Sequence, residues 1–236
     1  MRKAALCLHD IRLSGNGDSA RLIDSVSRVF HAPLTVHLVV DAAIDPALPL
    51  MVYLRERIRD GAMEVVFHGL THICPPGVWP YLAWYHKGQA EYAVNDPAAR
   101  EQAGKAYARL SATLGQLPGI CPPCWLCTKE NRAFLASLSP PYVESMFALE
   151  RKGRRRFSPI ISIGSSRARD LVALELLARS MLLLSHLLPE ARVRVAVHPS
   201  DTANPRVMSF LKTTYGKLLE RGAEPVLLNS LVFGGL

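Results

Sequence analysis

Short apolar runs alternate with amphipathic stretches along most of the 236 residues. Ala4 to Leu8 reads as a strand that stops at His9 and Asp10, and Leu22, Ile23, Val26, Val29 and Phe30 then recur at helical spacing. Thr35 to Val40 predicts a second strand, Leu50, Leu54 and Ile58 a short helix closed by Gly61, and Met63 to Phe67 a third strand. An irregular stretch rich in proline and tryptophan, Pro75 to Tyr85, comes next. Asp96-Pro97 then opens a helix, because Asp caps well and proline is tolerated at the first helical position. Its stripe is Ala103, Tyr107, Leu110 and Leu114, and Gly115 ends it. Ile120 begins a short strand, and Thr128 caps a helix through Leu138. Two β-rich runs, Tyr142 to Leu149 and Arg156 to Ile163, flank Arg151-Lys152-Gly153-Arg154-Arg155, which predicts a solvated hairpin tip turning at Gly153. A long helix around Leu171 to Leu188, a strand at Val193 to Val197, a helix from Pro205 to Glu220 and a strand at Pro225 to Leu228 complete the chain. Repeated strand-helix alternation without a linker-like segment or internal repeat predicts one α/β domain over residues 1–236 with a mostly parallel sheet.

Unusual polar residues fall at strand ends. His9 and Asp10 follow the first strand, His68 the third, Pro123 and Trp125 the strand at Ile120, and His198 the strand Val193 to Val197. In parallel α/β folds the carboxyl ends of the strands open onto one face, where ligands bind. Segments remote in sequence are therefore expected to converge.

Glu64-Val65-Val66-Phe67-His68-Gly69-Leu70-Thr71-His72 holds two histidines four residues apart. Imidazoles at that spacing can share a divalent ion if the chain turns helically after His68, and Gly69 permits a change of direction there. Alone, such a pair reads more readily as two unrelated histidines. A carboxylate at a neighbouring strand end changes the odds, and Asp10 is the natural third ligand, leaving coordination positions open for water and substrate. Asp10 and His9 are adjacent, so along an extended strand their side chains diverge. His9 is left as a base, a partner of a ligand or a core histidine. His198, at another strand end, can protonate a leaving group or simply pack before its proline turn.

These motifs, in this order, resemble the polysaccharide deacetylase (NodB-homology) superfamily. The matching residues are Leu8-His9-Asp10, Glu64 to His72, Pro122-Pro123-Cys124-Trp125 and His198-Pro199-Ser200-Asp201. The resemblance spans residues 6 to about 201. It implies a distorted (β/α) barrel of about seven mostly parallel strands, with Asp10, His68 and His72 as ligands of a divalent ion, expected to be zinc. It implies His198 as the general acid, with a metal-assisted hydrolysis that removes an acyl group from a carbohydrate. Asp201 is expected to contact the substrate, and Trp125, in a proline-rich loop at the mouth, either stacks on a sugar face or is a wedge closing the barrel end. Two departures stand out. His9 occupies the place where the superfamily carries a first aspartate, the base, and Cys121 to Trp125 holds no arginine to orient that base. His9 becomes the candidate base, and a non-catalytic carbohydrate- or metal-binding relative that has lost its base is the alternative.

Composition narrows the picture further. With 28 Lys and Arg against 20 Asp and Glu, the chain carries +8, which favours an anionic partner such as an acidic glycan. One short basic run does not make a nucleic-acid or phospholipid-binding face, and no nucleic acid is expected. The apolar start ends at His9, too soon for a signal-peptide core, and charged residues interrupt the run at Leu171 to Leu188; a cytoplasmic location without a membrane span is expected. Five cysteines, an odd number, then stay reduced. Cys121, Cys124 and Cys127 have cluster-like spacing, but no second cysteine pair follows, and thiols are the expected state. Trp79, Tyr81, Trp84 and Tyr85 read either as a lid facing the substrate or as cover for the core.

Overall fold

The fold was taken from a computed structural model of the chain, which describes residues 2–74, 89–164, 172, 175–180, 182–183 and 192–233. The aromatic stretch between 75 and 88, and most of the apolar run after residue 170, lie outside the described residues.

The strands are β1 (Lys3–Arg12), β2 (Leu34–Val39), β3 (Met63–Phe67), β4 (Gly119–Ile120), β5 (Tyr142–Glu144), β6 (Ala148–Arg151), β7 (Arg154–Phe157), β8 (Ile160–Ser162), β9 (Arg192–Val197) and β10 (Glu224–Val226). The helices are α1 (Asn16–Phe30), α2 (Pro49–Arg59), α3 (Pro97–Leu114), α4 (Lys129–Ser137), α5 (Pro199–Thr202), α6 (Pro205–Glu220) and α7 (Asn229–Phe233); residues 175–180 are also helical. All ten described strands join one sheet in the order β7-β6-β5-β4-β3-β2-β1-β9-β8, with β10 beside β1. Pairings are parallel except β5 with β6 and β6 with β7. The sheet curls strongly into a half-barrel, a distorted (β/α) barrel. The sequence pattern predicts eight strands and the resemblance about seven; the described residues form ten, because each β-rich run flanking the basic tip breaks in two. Lys152 and Gly153 both take positive φ, 45° and 75°, the two-residue turn that lets β6 and β7 pair as a hairpin.

Local chemistry explains the element boundaries. Asp96 accepts from the backbone N–H groups of Ala98 and Ala99, and Thr128 from that of Asn131, as cap residues should. The strands bury both faces, and alternation sorts their residues into two cores. Leu6, Leu8, Val36, Leu38, Val65, Phe67, Val193, Val195 and Val197 face outward against the helices, with Ile23, Leu54, Leu110 and Leu211. The opposite parity fills the barrel interior: Ala5, Cys7, Val66, Cys121 and Tyr142, with Leu228 and Leu231 closing its amino-terminal end. Each aliphatic side chain buried in this way contributes about 1.5–3 kcal/mol. Among the described residues no helix is long and apolar enough to cross a membrane.

The interior also holds polar groups of that second parity. Thr35 donates to Glu64 (2.8 Å), and Glu144 takes hydrogen bonds from His37 (2.6 Å) and Arg194 (2.8 Å), all of them buried.

Candidate metal centre

The site sits at the carboxyl ends of β1, β3, β4 and β9. Near its end β1 carries a bulge: Leu8 pairs with Val36 and Ile11 with Leu38, so three steps on β1 match two on β2. Asp10 takes a left-handed φ of 57° there. Such an insertion re-aims a side chain. His9 and Asp10 therefore do not diverge as an extended strand requires. Both reach one centre, where His9, Asp10 and His198 offer ligand atoms within 4.8 Å of one another.

The segment after β3 is not helical. Gly69 turns it at φ 86° and His72 is left-handed at φ 55°. Glu91 holds the turn: its carboxylate accepts from the backbone N–H groups of Leu70, Thr71 and His72, each at 2.8 Å. A side chain at residue 69 would meet this carboxylate, since a Cβ there would lie 2.4 Å from Glu91 Oε1. Glu91 was missed in the sequence because it is separated from the loop by the irregular stretch and belongs to no motif.

That turn brings Asp10, His68 and His72 together, with their ligand atoms all within 4.8 Å. His68 Nδ1 lies 2.8 Å from the Cys121 carbonyl oxygen. A carbonyl only accepts, so Nδ1 carries the proton and Nε2 presents a lone pair, 3.1 Å from Asp10 Oδ1. His72 Nε2 likewise donates to the His68 carbonyl (3.2 Å), leaving Nδ1 as a lone pair 3.6 Å from the same oxygen. His72 Nδ1 is buried without a hydrogen-bond partner. Burial and the neighbouring His68 push the His72 pKa down to about 4, so it is neutral. Burial opposes ionisation of Asp10, but the His68 contact and the fields of His198, His68 and His72 outweigh it and hold its carboxyl well below the usual range. A carboxylate and two imidazole nitrogens thus face one another at a partly buried site, where a divalent ion could take the place of the His68–Asp10 contact. The backbone carbonyls that fix each imidazole are the outer partners that metal-bound histidines ordinarily have. These residues fit a divalent ion.

His198 lies where β9 meets α5. Asp201, fully buried, accepts from its backbone N–H (2.8 Å) and from ring Nδ1 (3.2 Å). Asp201 is therefore placed to hold His198. His9 is buried, stacked on His37 with centroids 3.7 Å apart, and meets Trp125 edge-on at 5.5 Å. Burial, then the neighbouring His37, His68 and His198, lower its pKa well below the ordinary histidine value, so the ring is neutral. Trp125, half-buried with φ 56°, ends a single 3-10 turn after β4. Cys121 faces the interior, whereas Cys127 packs on the helix-side core; the sequence triplet does not converge.

The sequence matches no family model and no curated protein. Solved structures do match. A peptidoglycan N-acetylglucosamine deacetylase, Bc1960, superposes with a TM-score of 0.56 at 14% identity, covering 97% of this chain and 87% of that one. A putative polysaccharide deacetylase from Mycobacterium smegmatis gives 0.57 at 12% identity over 98% and 89%. The fold is that of the polysaccharide deacetylases. A 4-alpha-glucanotransferase from Thermococcus litoralis shares it more loosely, at 0.51 and 14% identity, with all of this chain spanning 38% of that enzyme.

Proposed function

We propose that the protein is a metal-dependent hydrolase that removes an acetyl or related acyl group from a carbohydrate. The observation that carries this reading is the trio of lone-pair donors on Asp10, His68 and His72, facing one another at the carboxyl ends of the strands. The deacetylase fold supports the carbohydrate substrate, and the +8 charge suits an anionic glycan. Zinc suits a site of two imidazoles and one carboxylate with an open position. Bound there, such an ion would polarise the acyl carbonyl and lower the pKa of its water towards about 7.

The chain's own residues do the rest. His9 stands beside His68 and His198, with ring centroids 5.1 and 5.2 Å away, and is the group proposed to take a proton from the attacking water. His198, aligned through Nδ1 by Asp201, delivers a proton to the departing amine or alkoxide. The acyl carbon–heteroatom bond breaks as the carbon–oxygen bond to water forms, giving the carboxylic acid and the freed sugar. Trp125 borders His9 and is proposed to lie against the sugar. The alternative, a binding protein without turnover, draws on the imidazole that replaces the superfamily's acidic base.

Release of acetate from N-acetylated and O-acetylated sugar oligomers, with divalent metal supplied, tests the reading. Turnover in the wild type and its loss together with metal binding in His68→Ala is the expected result. A metal-loaded wild type that releases nothing from a broad panel supports the binding protein instead.

A further inference from the structure

Beneath the centre lies a buried charge chain that the hydrolytic scheme does not use. Arg194 and Glu144 both have fully buried side chains, and so does His37. Arg194 donates to Glu144 Oε2 and, through its other nitrogens, to the carbonyls of Ser145 (2.6 Å), Met146 (3.0 Å) and Ser158 (3.0 Å). Glu144 Oε1 accepts a hydrogen bond from His37 Nε2 at 2.6 Å. Burial alone would favour a neutral Glu144, but His37 and Arg194 keep it ionised. Residues from β2, β5 and β9 thus fix one imidazole ring against rotation.

That fixed ring is the platform for His9. The two rings are face to face, 3.7 Å apart and 11° from parallel. His9 Nε2 is buried and has no hydrogen-bond partner among the described residues, so ring contacts rather than a hydrogen bond from that nitrogen set its orientation. The others, to His68, His198 and Trp125, are edge-on or tilted. His9 Nε2 and His37 Nδ1 are both buried without a hydrogen-bond partner among the described residues. A buried ion pair is a poor source of stability, since desolvation offsets much of its attraction. Holding a ring still is a better account of it.

We infer that His37 is a positioning residue whose ring face sets the plane of the His9 ring at the centre. The inference rests on the reading of His9 as the base. The test separates the ring face from the hydrogen bond. His37→Phe keeps a flat face under His9 and leaves the Glu144–Arg194 pair intact, whereas His37→Leu removes the face. In metal-free protein, the His9 ring protons should resonate upfield in wild type and His37→Phe and move downfield and broaden in His37→Leu. This readout needs neither metal nor turnover, so it stands if the hydrolase reading fails. In turnover, kcat should fall about 10-fold or more in His37→Leu and stay within about threefold in His37→Phe, with KM and metal content unchanged in both. Equal losses in the two variants, or His9 resonances unmoved in His37→Leu, overturn the inference. Thermal melts and metal content of both variants check the fold.

Discussion

At the scale of single residues, His198 separates binding from turnover. Its ring is held by Asp201, and it shares the centre with Asp10 without belonging to the trio formed by Asp10, His68 and His72. His198→Ala should keep its metal and lose about 10²–10⁴-fold in rate, the usual worth of a positioned acid or base. Metal content and acetate release, measured on the same preparation, check this; loss of the ion would make His198 a ligand. Asp201→Asn should lower kcat less, because an amide oxygen still accepts from Nδ1. Residue types and strand-end positions made Asp10, His68, His72 and His198 legible in the sequence. The approach of His9 and Asp10 to one centre was not, because a bulge depends on how β1 pairs with β2, which no local pattern reveals.

The element that matters most is the turn from Phe67 to His72. Its first residues still bond to the neighbouring chain, His68 N–H to the Leu38 carbonyl and the Val40 N–H to the Gly69 carbonyl, and Glu91 supplies acceptors for the next three N–H groups. Glu91→Ala should therefore weaken metal binding about 10–100-fold, as loss of an outer partner typically does, while His68 stays fixed by Cys121. Titration with a chromogenic chelator measures it; unchanged affinity would mean that the turn is held by other contacts. His68 and His72 come together without the helical turn that their spacing would use, because Gly69 and His72 both adopt left-handed backbone, which i, i+4 spacing cannot announce. Helices away from the site read more faithfully, since Asp96 and Thr128 cap through contacts two or three residues away.

For the whole molecule, strand parity is the informative pattern. Cys7 and His9, Thr35 and His37, Glu64 and His68, and Arg194 and His198 each share one parity, and that parity lines the barrel interior. Counting back by twos from the strand-end histidines would have found Arg194 and Glu64; Glu144 needs the three-dimensional pairing. Burial raises the Glu64 pKa from 4.5 to about 7 despite hydrogen bonds from Thr35 and Asn229. The folded state thus binds this proton more tightly than the unfolded chain does. Its contribution is full below about pH 4.5 and declines as pH rises through about 7, by about 1.4 kcal/mol per unit between the two values. Glu64→Gln should flatten that decline in denaturant melts across pH 5 to 7.5, and an unchanged slope would place the proton elsewhere.

The central claim is that this fold gathers one divalent ion on Asp10, His68 and His72. An anomalous-difference map from crystals of the protein as purified tests it most directly. The account predicts a single peak about 2 Å from an Asp10 carboxylate oxygen, His68 Nε2 and His72 Nδ1. No peak there after zinc is supplied, or a peak on other residues, would contradict it.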